Sequence, residues 1–185
     1  TNGRIKTFDK TGVPGALNTS LDTFFASVRG TGGTSDPHVR YDRLGARWYI
    51  VAITVNCPNR MLLAWSSGPT ITDTTSFTFV YWVNGTMLLD YPTLGVDQNA
   101  LYIGGNYFTC ANAFNNVSAY TLGKADILDG GTLTRYGWGG LQTSGIWTAQ
   151  GVDNDDPTST EGYFIGVDFN VWSRLGIRRI AGPGT

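Results

Sequence analysis

The feature that most constrains the fold is a sequence repeat with a period of about 56 residues. Each unit contains a strand-like run that ends in aspartate and a turn of variable length. A second strand follows, in which an aromatic residue directly precedes isoleucine. The aspartates are Asp42, Asp97 and Asp153, at intervals of 55 and 56 residues. The strands after them contain Trp48-Tyr49-Ile50, Leu101-Tyr102-Ile103 and Tyr163-Phe164-Ile165. The chain is therefore expected to repeat one supersecondary unit.

Two more strands are predicted in the unit. The third strand is expected at Arg60–Trp65, Val117–Tyr120 and Arg174–Ile177, and Arg4–Phe8 lies in register with it. The fourth is expected at Thr23–Phe25, Phe77–Phe79 and Leu133–Tyr136. Four short antiparallel strands per unit, with turn signals between them, predict the blades of a β-propeller. A two-sheet β-sandwich is the alternative, but it gives no reason for the period.

The repeat divides the chain into four units within a single propeller-like domain. They are a partial blade (1–34), a blade (35–89), a blade (90–145) and a partial blade (146–185). Such a set does not close the usual ring of 4–8 blades. The chain is therefore expected to be part of a longer propeller or to close by self-association.

The composition agrees with an all-β fold and excludes some partners. Aromatic residues make up 13% of the 185 residues, whereas charged residues make up only 15%, below the ~25% of typical soluble domains. The net charge of −1 argues against nucleic acid, which requires a basic face. No apolar run approaches the ~18 residues of a membrane span. The scarcity of Lys and Glu indicates a secreted or cell-surface protein.

The repeat resembles that of a known class of propellers. Its clearest segments are DYPTLGVDQNALYIGGN and QGVDNDDPTSTEGYFIGVD. They resemble secreted bacterial β-propellers of the sialidase-like (BNR-repeat) kind, which implies four-stranded blades and a surface location. The strict Asp-box pattern S-x-D-x-G-x-x-W and the Arg-Ile-Pro motif of sialidases are absent from the sequence. The resemblance therefore concerns the fold and leaves the chemistry open.

Candidate ligand-binding residues lie before the first strand of each unit and in glycine-rich stretches. Asp36 and Asp90 stand at Asp-Pro and Asp-Tyr-Pro starts, on the side where propellers bind ligands. Two such carboxylates could hold a cation or form an acid/base pair, although Asp-Pro is also ordinary turn chemistry. Trp138 and Trp147 are expected to be surface platforms for sugars, with core packing as the alternative.

A glycoside hydrolase is the alternative function. Five-bladed hydrolases such as arabinanases begin a blade with Asp-Pro and carry a Glu-Gly acid in another blade. The sequence is similar at Asp36, Asp90 and Glu161, which would then be the catalytic residues. However, Glu161 lies in the hairpin between the first and second strands and is expected on the opposite side from the two aspartates.

A third acidic group suggests a metal site. Asp153, Asp155 and Asp156 place three carboxylates within four residues of a long hairpin. Calcium prefers several oxygen ligands on a flexible loop. The alternative is a solvated turn.

The two cysteines are 53 residues apart, close to one repeat. Cys57 and Cys110 both fall between the second and third strands of successive units. Equivalent loops on neighbouring units lie near each other, so the cysteines can form a disulfide if their Cα atoms come within ~7 Å. An unpaired state is the alternative.

The sequence thus predicts an extracellular or surface β-propeller module with a binding or structural role and no catalysis. The expected partner is a carbohydrate or a protein surface, including a second copy. The alternatives are the glycoside hydrolase and a structural subunit of an extracellular fibre or virion.

Overall fold

The computed structural model describes residues 3–184, and these residues form antiparallel β-strands with two short helices. The strands are β1 (Arg4–Phe8), β2 (Pro14–Ser20), β3 (Thr34–Asp42), β4 (Arg47–Thr54), β5 (Arg60–Ser66), β6 (Phe77–Val83), β7 (Met87–Asp90), β8 (Gly95–Val96), β9 (Ala100–Thr109), β10 (Phe114–Gly123), β11 (Tyr136–Trp138), β12 (Trp147–Gly151), β13 (Glu161–Val167) and β14 (Leu175–Ala181). The helices are α1 (Leu21–Phe24) and α2 (Lys124–Leu128). The all-β prediction is confirmed. No helix within residues 3–184 has the length and apolar character needed to cross a membrane.

The strands form four antiparallel sheets, each built from consecutive strands. Sheet 1 contains β1 and β2, and sheet 2 has the order β3-β4-β5-β6. Sheet 3 has the order β7-β9-β10-β11, with β8 also paired to β9, and sheet 4 has the order β12-β13-β14. Each sheet is thus a meander of neighbouring hairpins, which antiparallel strands allow because short turns can join them.

The sheets pack face to face in chain order. In β4, Tyr49, Val51 and Ile53 point to one face and Ile50 and Ala52 to the other, because successive side chains of a strand alternate. One face packs on sheet 1 and α1 around Leu17, Leu21, Phe24, Phe25 and Phe77. The other packs on sheet 3 around Met61, Leu63, Leu89, Leu101 and Ile103. Sheet 3 in turn packs on sheet 4 around Tyr102, Val117, Ile146, Ala149 and Phe164.

Sheets 3 and 4 meet at backbone contact where β12 crosses β9. A Cβ atom on Gly104 would lie 2.0 Å from the Ala149 carbonyl oxygen, and one on Gly151 would lie 2.2 Å from the Tyr102 carbonyl oxygen. Only glycine fits at such distances. The two glycines therefore allow the first strand of sheet 4 to lie directly on sheet 3.

Two predicted strands differ from those in the structure. The fourth strand expected at Thr23–Phe25 is wrong, because these residues belong to α1 and its C-terminal end. The Ser20 hydroxyl accepts a hydrogen bond from the Thr23 N–H at 3.0 Å, which caps the helix and turns both phenylalanines into the core. The edge strand of sheet 3 is β11, which begins at Tyr136 where the predicted strand ends.

The repeated aspartates lie where the first strand of each unit meets the second. One carboxylate oxygen of Asp42 accepts two backbone N–H groups of its own turn, at 3.0 and 3.1 Å. Asp97 does the same at 2.7 and 2.8 Å. These bonds stabilise the turn in the way typical of aspartate. Asp153 differs, because its carboxylate accepts the N–H of Val96 in sheet 3 at 3.0 Å.

Charged side chains join three sheets at this hairpin end. Lys124 Nζ lies 2.6 Å from Asp42 Oδ2 of sheet 2 and donates a hydrogen bond to the Asp97 carbonyl at 2.7 Å. Arg40 of sheet 2 lies 2.9 Å from Asp153 of the hairpin that leaves sheet 4. The first strands of sheets 2, 3 and 4 therefore converge around these groups.

The face of sheet 4 that points away from sheet 3 is apolar and exposed. Its apolar residues are Tyr163, Ile165, Val167, Leu175 and Ile177, on β13 and β14, and Glu161 and Arg179 lie at one end of it. Ile177 is 65% exposed and pairs with Ile165 across the two strands. In sheets 2 and 3 the equivalent faces pack on the next sheet. We call this surface the outer face of sheet 4.

Candidate functional site

The first strands of sheets 2, 3 and 4 are kinked at the same point. Asp36, Tyr91 and Thr148 have left-handed φ angles of 50°, 54° and 48°, and they lie about one repeat apart. The ladder shifts register at Asp36 and at Thr148, and in sheet 3 the strand is interrupted between β7 and β8. Non-glycine residues adopt this conformation at an energetic cost, and they cluster at functional sites. The kinks thus single out one end of the three sheets.

Polar side chains from the three sheets meet at this end. Asn106 pairs with Asp90 across β7 and β9, and its Nδ2 donates to the Thr148 hydroxyl at 3.3 Å. The Oδ1 atom of Asn106 is buried and accepts no hydrogen bond from the described residues. A buried acceptor of this kind calls for a partner. We call the group Asp36, Asp90, Asn106 and Thr148 the rim site.

The environment of the rim site shifts the protonation of Asp90. Burial raises the pKa of Asp90, and the nearby charge of Asp36 raises it further. Asp36 also accepts a hydrogen bond from the Ser35 hydroxyl at 3.1 Å. Burial lowers the pKa of His38, whose ring meets the edge of Tyr91 with the centroids 5.4 Å apart. The structure therefore brings the two predicted carboxylates, Asp36 and Asp90, into one electrostatic environment.

Three aromatic rings stack next to the rim site. Trp147 precedes Thr148, and its ring lies between Phe114 and Phe169 with centroid distances of 5.3 and 5.0 Å and interplanar angles of 24° and 23°. Phe169 is 69% exposed, whereas Trp147 is half-buried. The indole Nε1 of Trp147 is buried without a hydrogen-bond partner among the described residues. We call these three residues the aromatic stack.

The predicted platforms Trp138 and Trp147 differ from expectation. Both are half-buried and pack against the core between sheets 3 and 4. Trp138 lies on β11 and is not part of the aromatic stack. The exposed rings of the aromatic stack are those of Phe114 and Phe169.

The structure does not bring Glu161 to the two aspartates. Asn106, which neighbours Asp90, contacts Thr148 at the start of β12, and β12 begins opposite Val167. Glu161 is at the other end of β13, six residues away, which is about 20 Å at the rise of a strand. Its carboxylate also binds Arg179 at 2.9 Å and the Tyr163 hydroxyl at 2.8 Å. The acid partner expected in the hydrolase alternative is therefore out of reach.

In the structure, each of the three carboxylates expected to form a calcium site, Asp153, Asp155 and Asp156, has a protein partner. Asp153 pairs with Arg40, and Asp155 lies 3.5 Å from Arg43. Asp156 accepts the N–H and the hydroxyl of Thr158, which lower its pKa. Within residues 3–184, no three His, Cys, Asp or Glu side chains are placed to hold an ion.

Cys57 and Cys110 form a disulfide with their Cα atoms 5.5 Å apart. The bond joins the turn between β4 and β5 to the turn between β9 and β10. It therefore fixes sheet 2 to sheet 3 at the same end as the rim site.

Asn106, Phe114 and Phe169 are residues of the site that were not predicted from the sequence. A signal for the two phenylalanines is present, because both lie at the turn between the second and third strands and both precede asparagine, in Phe114-Asn115 and Phe169-Asn170. No sequence signal points to Asn106, which is an ordinary strand residue.

Comparison of the chain with protein-family models, with curated proteins and with solved structures finds no match. The chemistry of the site is therefore inferred from its own residues.

Proposed function

We propose that the chain forms consecutive blades of a β-propeller and binds carbohydrate at the rim site and the aromatic stack. The propeller is supported by antiparallel sheets of two to five strands that follow one another in chain order. It is also supported by the first strands of sheets 2, 3 and 4, which converge at Lys124, Arg40 and Asp153. In a propeller, first strands surround the central axis. Two sheets of a sandwich would not require this convergence of three.

The single observation that carries carbohydrate binding is the partly exposed aromatic stack beside the Asn106 amide, whose Oδ1 is buried without a partner among the described residues. Sugars present apolar C–H faces, which pack on aromatic rings, and hydroxyls, which bond to carboxylates and amides. Phe114 and Phe169 supply the rings, and Asp90 and Asn106 supply oxygen acceptors on the neighbouring strands. Ligand sites usually combine a mostly apolar surface with a small number of polar groups.

The proposed role is binding without catalysis. In the hydrolase alternative Glu161 supplies the acid, which must lie within ~5–10 Å of a partner carboxylate. Asp36 and Asp90 lie at one end of the sheets, and Glu161 lies at the other. The proposed location is secreted or at the cell surface, because disulfides such as Cys57–Cys110 persist in oxidising compartments.

The carbohydrate proposal predicts that Phe169→Ala weakens binding at least tenfold. Phe169 contributes a ring to the aromatic stack but little to the core, so its loss removes a ligand contact and leaves the fold intact. Removing an aromatic anchor from an interface typically costs more than ~1 kcal/mol, and 1.4 kcal/mol corresponds to a factor of about ten. The measurement is a calorimetric titration with neutral oligosaccharides of glucose, xylose and arabinose.

Trp172→Ala is the matched control. Trp172 lies in the same turn and is almost fully exposed, but it is outside the aromatic stack. It should bind the same oligosaccharide as tightly as the unmodified chain does. Failure of every oligosaccharide to bind, or equal binding by Phe169→Ala and the unmodified chain, would overturn the proposal.

A second candidate function is assembly, which the outer face of sheet 4 favours. Sheets 2 and 3 each cover the equivalent face with the next sheet, whereas here Val167, Leu175 and Ile177 are exposed to solvent. Its charged residues at one end, Glu161 and Arg179, neutralise each other. Two such faces therefore match without net repulsion, and we propose a second copy of the chain as the occupant in a symmetric dimer.

The assembly proposal predicts a mass of twice 20.0 kDa by light scattering on a sizing column. Ile177→Lys should convert the dimer to a monomer, because it places a charge in the centre of the buried face. Val83→Lys on the exposed edge strand β6 should remain dimeric. A monomeric unmodified chain, or a dimer that both variants retain, would exclude assembly through this face.

A further inference from the structure

A polar surface pocket lies away from the rim site and the aromatic stack. It is a shallow pocket of about 450 Å³ that opens widely to solvent between the turn after β6 and the outer half of sheet 3. Its polar lining consists of Asn84, Tyr107, Asn116, Ser118, Tyr120 and Arg135. The volume falls in the range of sites for small ligands. None of these residues belongs to the rim site or the aromatic stack.

Arg135 is the charged group of this cavity, and no acidic side chain lines it within the described part of the chain. The guanidinium lies over the buried ring of Trp82, with its central carbon 5.0 Å from the ring centroid. It forms no ion pair with any residue between 3 and 184. Because a guanidinium offers five donors in a planar fork that matches a carboxylate, the cavity holds a cation with its donors available.

The hydrogen bonds of the lining fix a second donor beside it. The hydroxyls of Tyr107 and Tyr120 contact each other, and Tyr120 donates to Asn84 Oδ1 at 3.2 Å. Burial raises the pKa of both tyrosines, so both keep their protons at neutral pH. The amide of Asn84 therefore has its oxygen occupied, and its Nδ2 is buried without an acceptor in the described chain. An unpaired buried donor calls for an acceptor.

The remaining polar groups can accept hydrogen bonds from a ligand. The Ser118 hydroxyl donates to Asn116 Oδ1 at 2.6 Å, which leaves the lone pairs of Ser118 Oγ available. Because Tyr120 donates its proton to Asn84, the hydroxyl of Tyr107 donates to Tyr120, and the lone pairs of the Tyr107 oxygen remain available. The cavity thus combines a cation and an amide donor with hydroxyl acceptors.

We infer that this cavity binds a hydroxylated carboxylic acid of monosaccharide size, the chemistry of a hexuronic acid, with the carboxylate on Arg135 and the hydroxyls on Ser118 and Tyr107. The inference does not rest on carbohydrate binding at the rim site, because the two sites share no residue.

The test is a calorimetric titration of the full chain with glucuronate and with glucose, which differ at one carbon. Glucuronate should bind at least tenfold more tightly, because a charge-assisted hydrogen bond is worth more than a neutral one. Arg135→Gln should lose this preference, with binding of glucuronate at least tenfold weaker. Arg135 is exposed on the surface, so its replacement leaves the core unchanged.

Arg178→Gln is the matched control, because Arg178 is an exposed arginine of sheet 4 outside the cavity. It should bind glucuronate as the unmodified chain does. Equal affinity for glucose and glucuronate, or an unchanged affinity in Arg135→Gln, would overturn the inference. Phe169→Ala should leave glucuronate binding intact, so failure at the rim site and failure at this cavity are distinguishable.

Discussion

Lys124→Met is expected to lower the free energy of unfolding by about 3–5 kcal/mol, the usual effect of removing one partner from a buried ion pair. Lys124 is 8% exposed and Asp42 is 3% exposed, and Nζ lies 2.6 Å from the Asp42 carboxylate. The substitution keeps the aliphatic volume but leaves a buried carboxylate without its cation. The Asp97 carbonyl loses a hydrogen bond as well. Urea denaturation followed by circular dichroism measures the change.

The position of Lys124 shows that this pair overrides a local preference. Lys124 is the first residue of α2, where the helix dipole disfavours a positive charge. Its location is explained by Asp42 and the Asp97 carbonyl, which lie in two different sheets. The interaction therefore ties sheet 2 to sheet 3, and its loss should destabilise both.

Two variants separate this effect from ordinary surface electrostatics. Arg43→Met removes an exposed pair with Asp155 at 3.5 Å and should change stability by less than ~0.5 kcal/mol. The double variant Asp42→Asn with Lys124→Met removes both charges and should be more stable than Lys124→Met alone. If Lys124→Met lowers the free energy of unfolding by less than ~1 kcal/mol, the Asp42 carboxylate is solvated or is neutralised by another group.

Replacing both cysteines with alanine is expected to cost about 4 kcal/mol. The disulfide Cys57–Cys110 closes a loop across a sequence separation of 53 residues. In the chain-entropy account, its main effect is to restrict the unfolded chain. Thermal denaturation of the double variant should show a decrease in Tm, by roughly 2–4 °C for each kcal/mol in a chain of this size.

The unmodified chain under reducing conditions is the control for this prediction. Reduction breaks the same covalent bond and keeps the cysteine side chains in place, so it should lower Tm by a similar amount. A loss in the alanine variant alone would point to packing of the side chains. A difference of less than ~1 kcal/mol in both experiments would contradict the entropic account for this loop.

Much of the strand pattern was predictable because the same strand motifs recur in successive units of the repeat. Asp42 and Asp97 mark turns through bonds to their own neighbours, and such local chemistry is visible in a single sequence. The run Trp48-Tyr49-Ile50 was identified as a strand because aromatic and β-branched residues favour pleated, half-buried surfaces. Phe24 and Phe25 have the same composition and were predicted as a strand for that reason. The cap from Ser20 and the packing of both rings override this preference.

The candidate site was less predictable because its members meet only through packing. Asp36 and Asp90 were identified from their positions before the first strands, where the repeat aligns them. Asn106 acquires its role from Thr148, which belongs to another sheet. Trp147 was expected at the surface, but neighbouring rings from two turns cover it. Similarly, Asp153 and Asp155 are close in sequence, yet each forms an ion pair with a different arginine, Arg40 or Arg43.

The order in which the sheets pack has a consequence for synthesis on the ribosome. The first core draws on residues between Leu17 and Phe77, the second on residues between Tyr49 and Ile127, and the third on residues between Ala100 and Ile180. Chains emerge N-terminus first, and their parts fold as they become available. The first core is complete once sheet 2 has emerged, the second once sheet 3 has emerged, and only the third requires β13 and β14. The nascent protein can therefore fold one layer at a time, in the direction of translation.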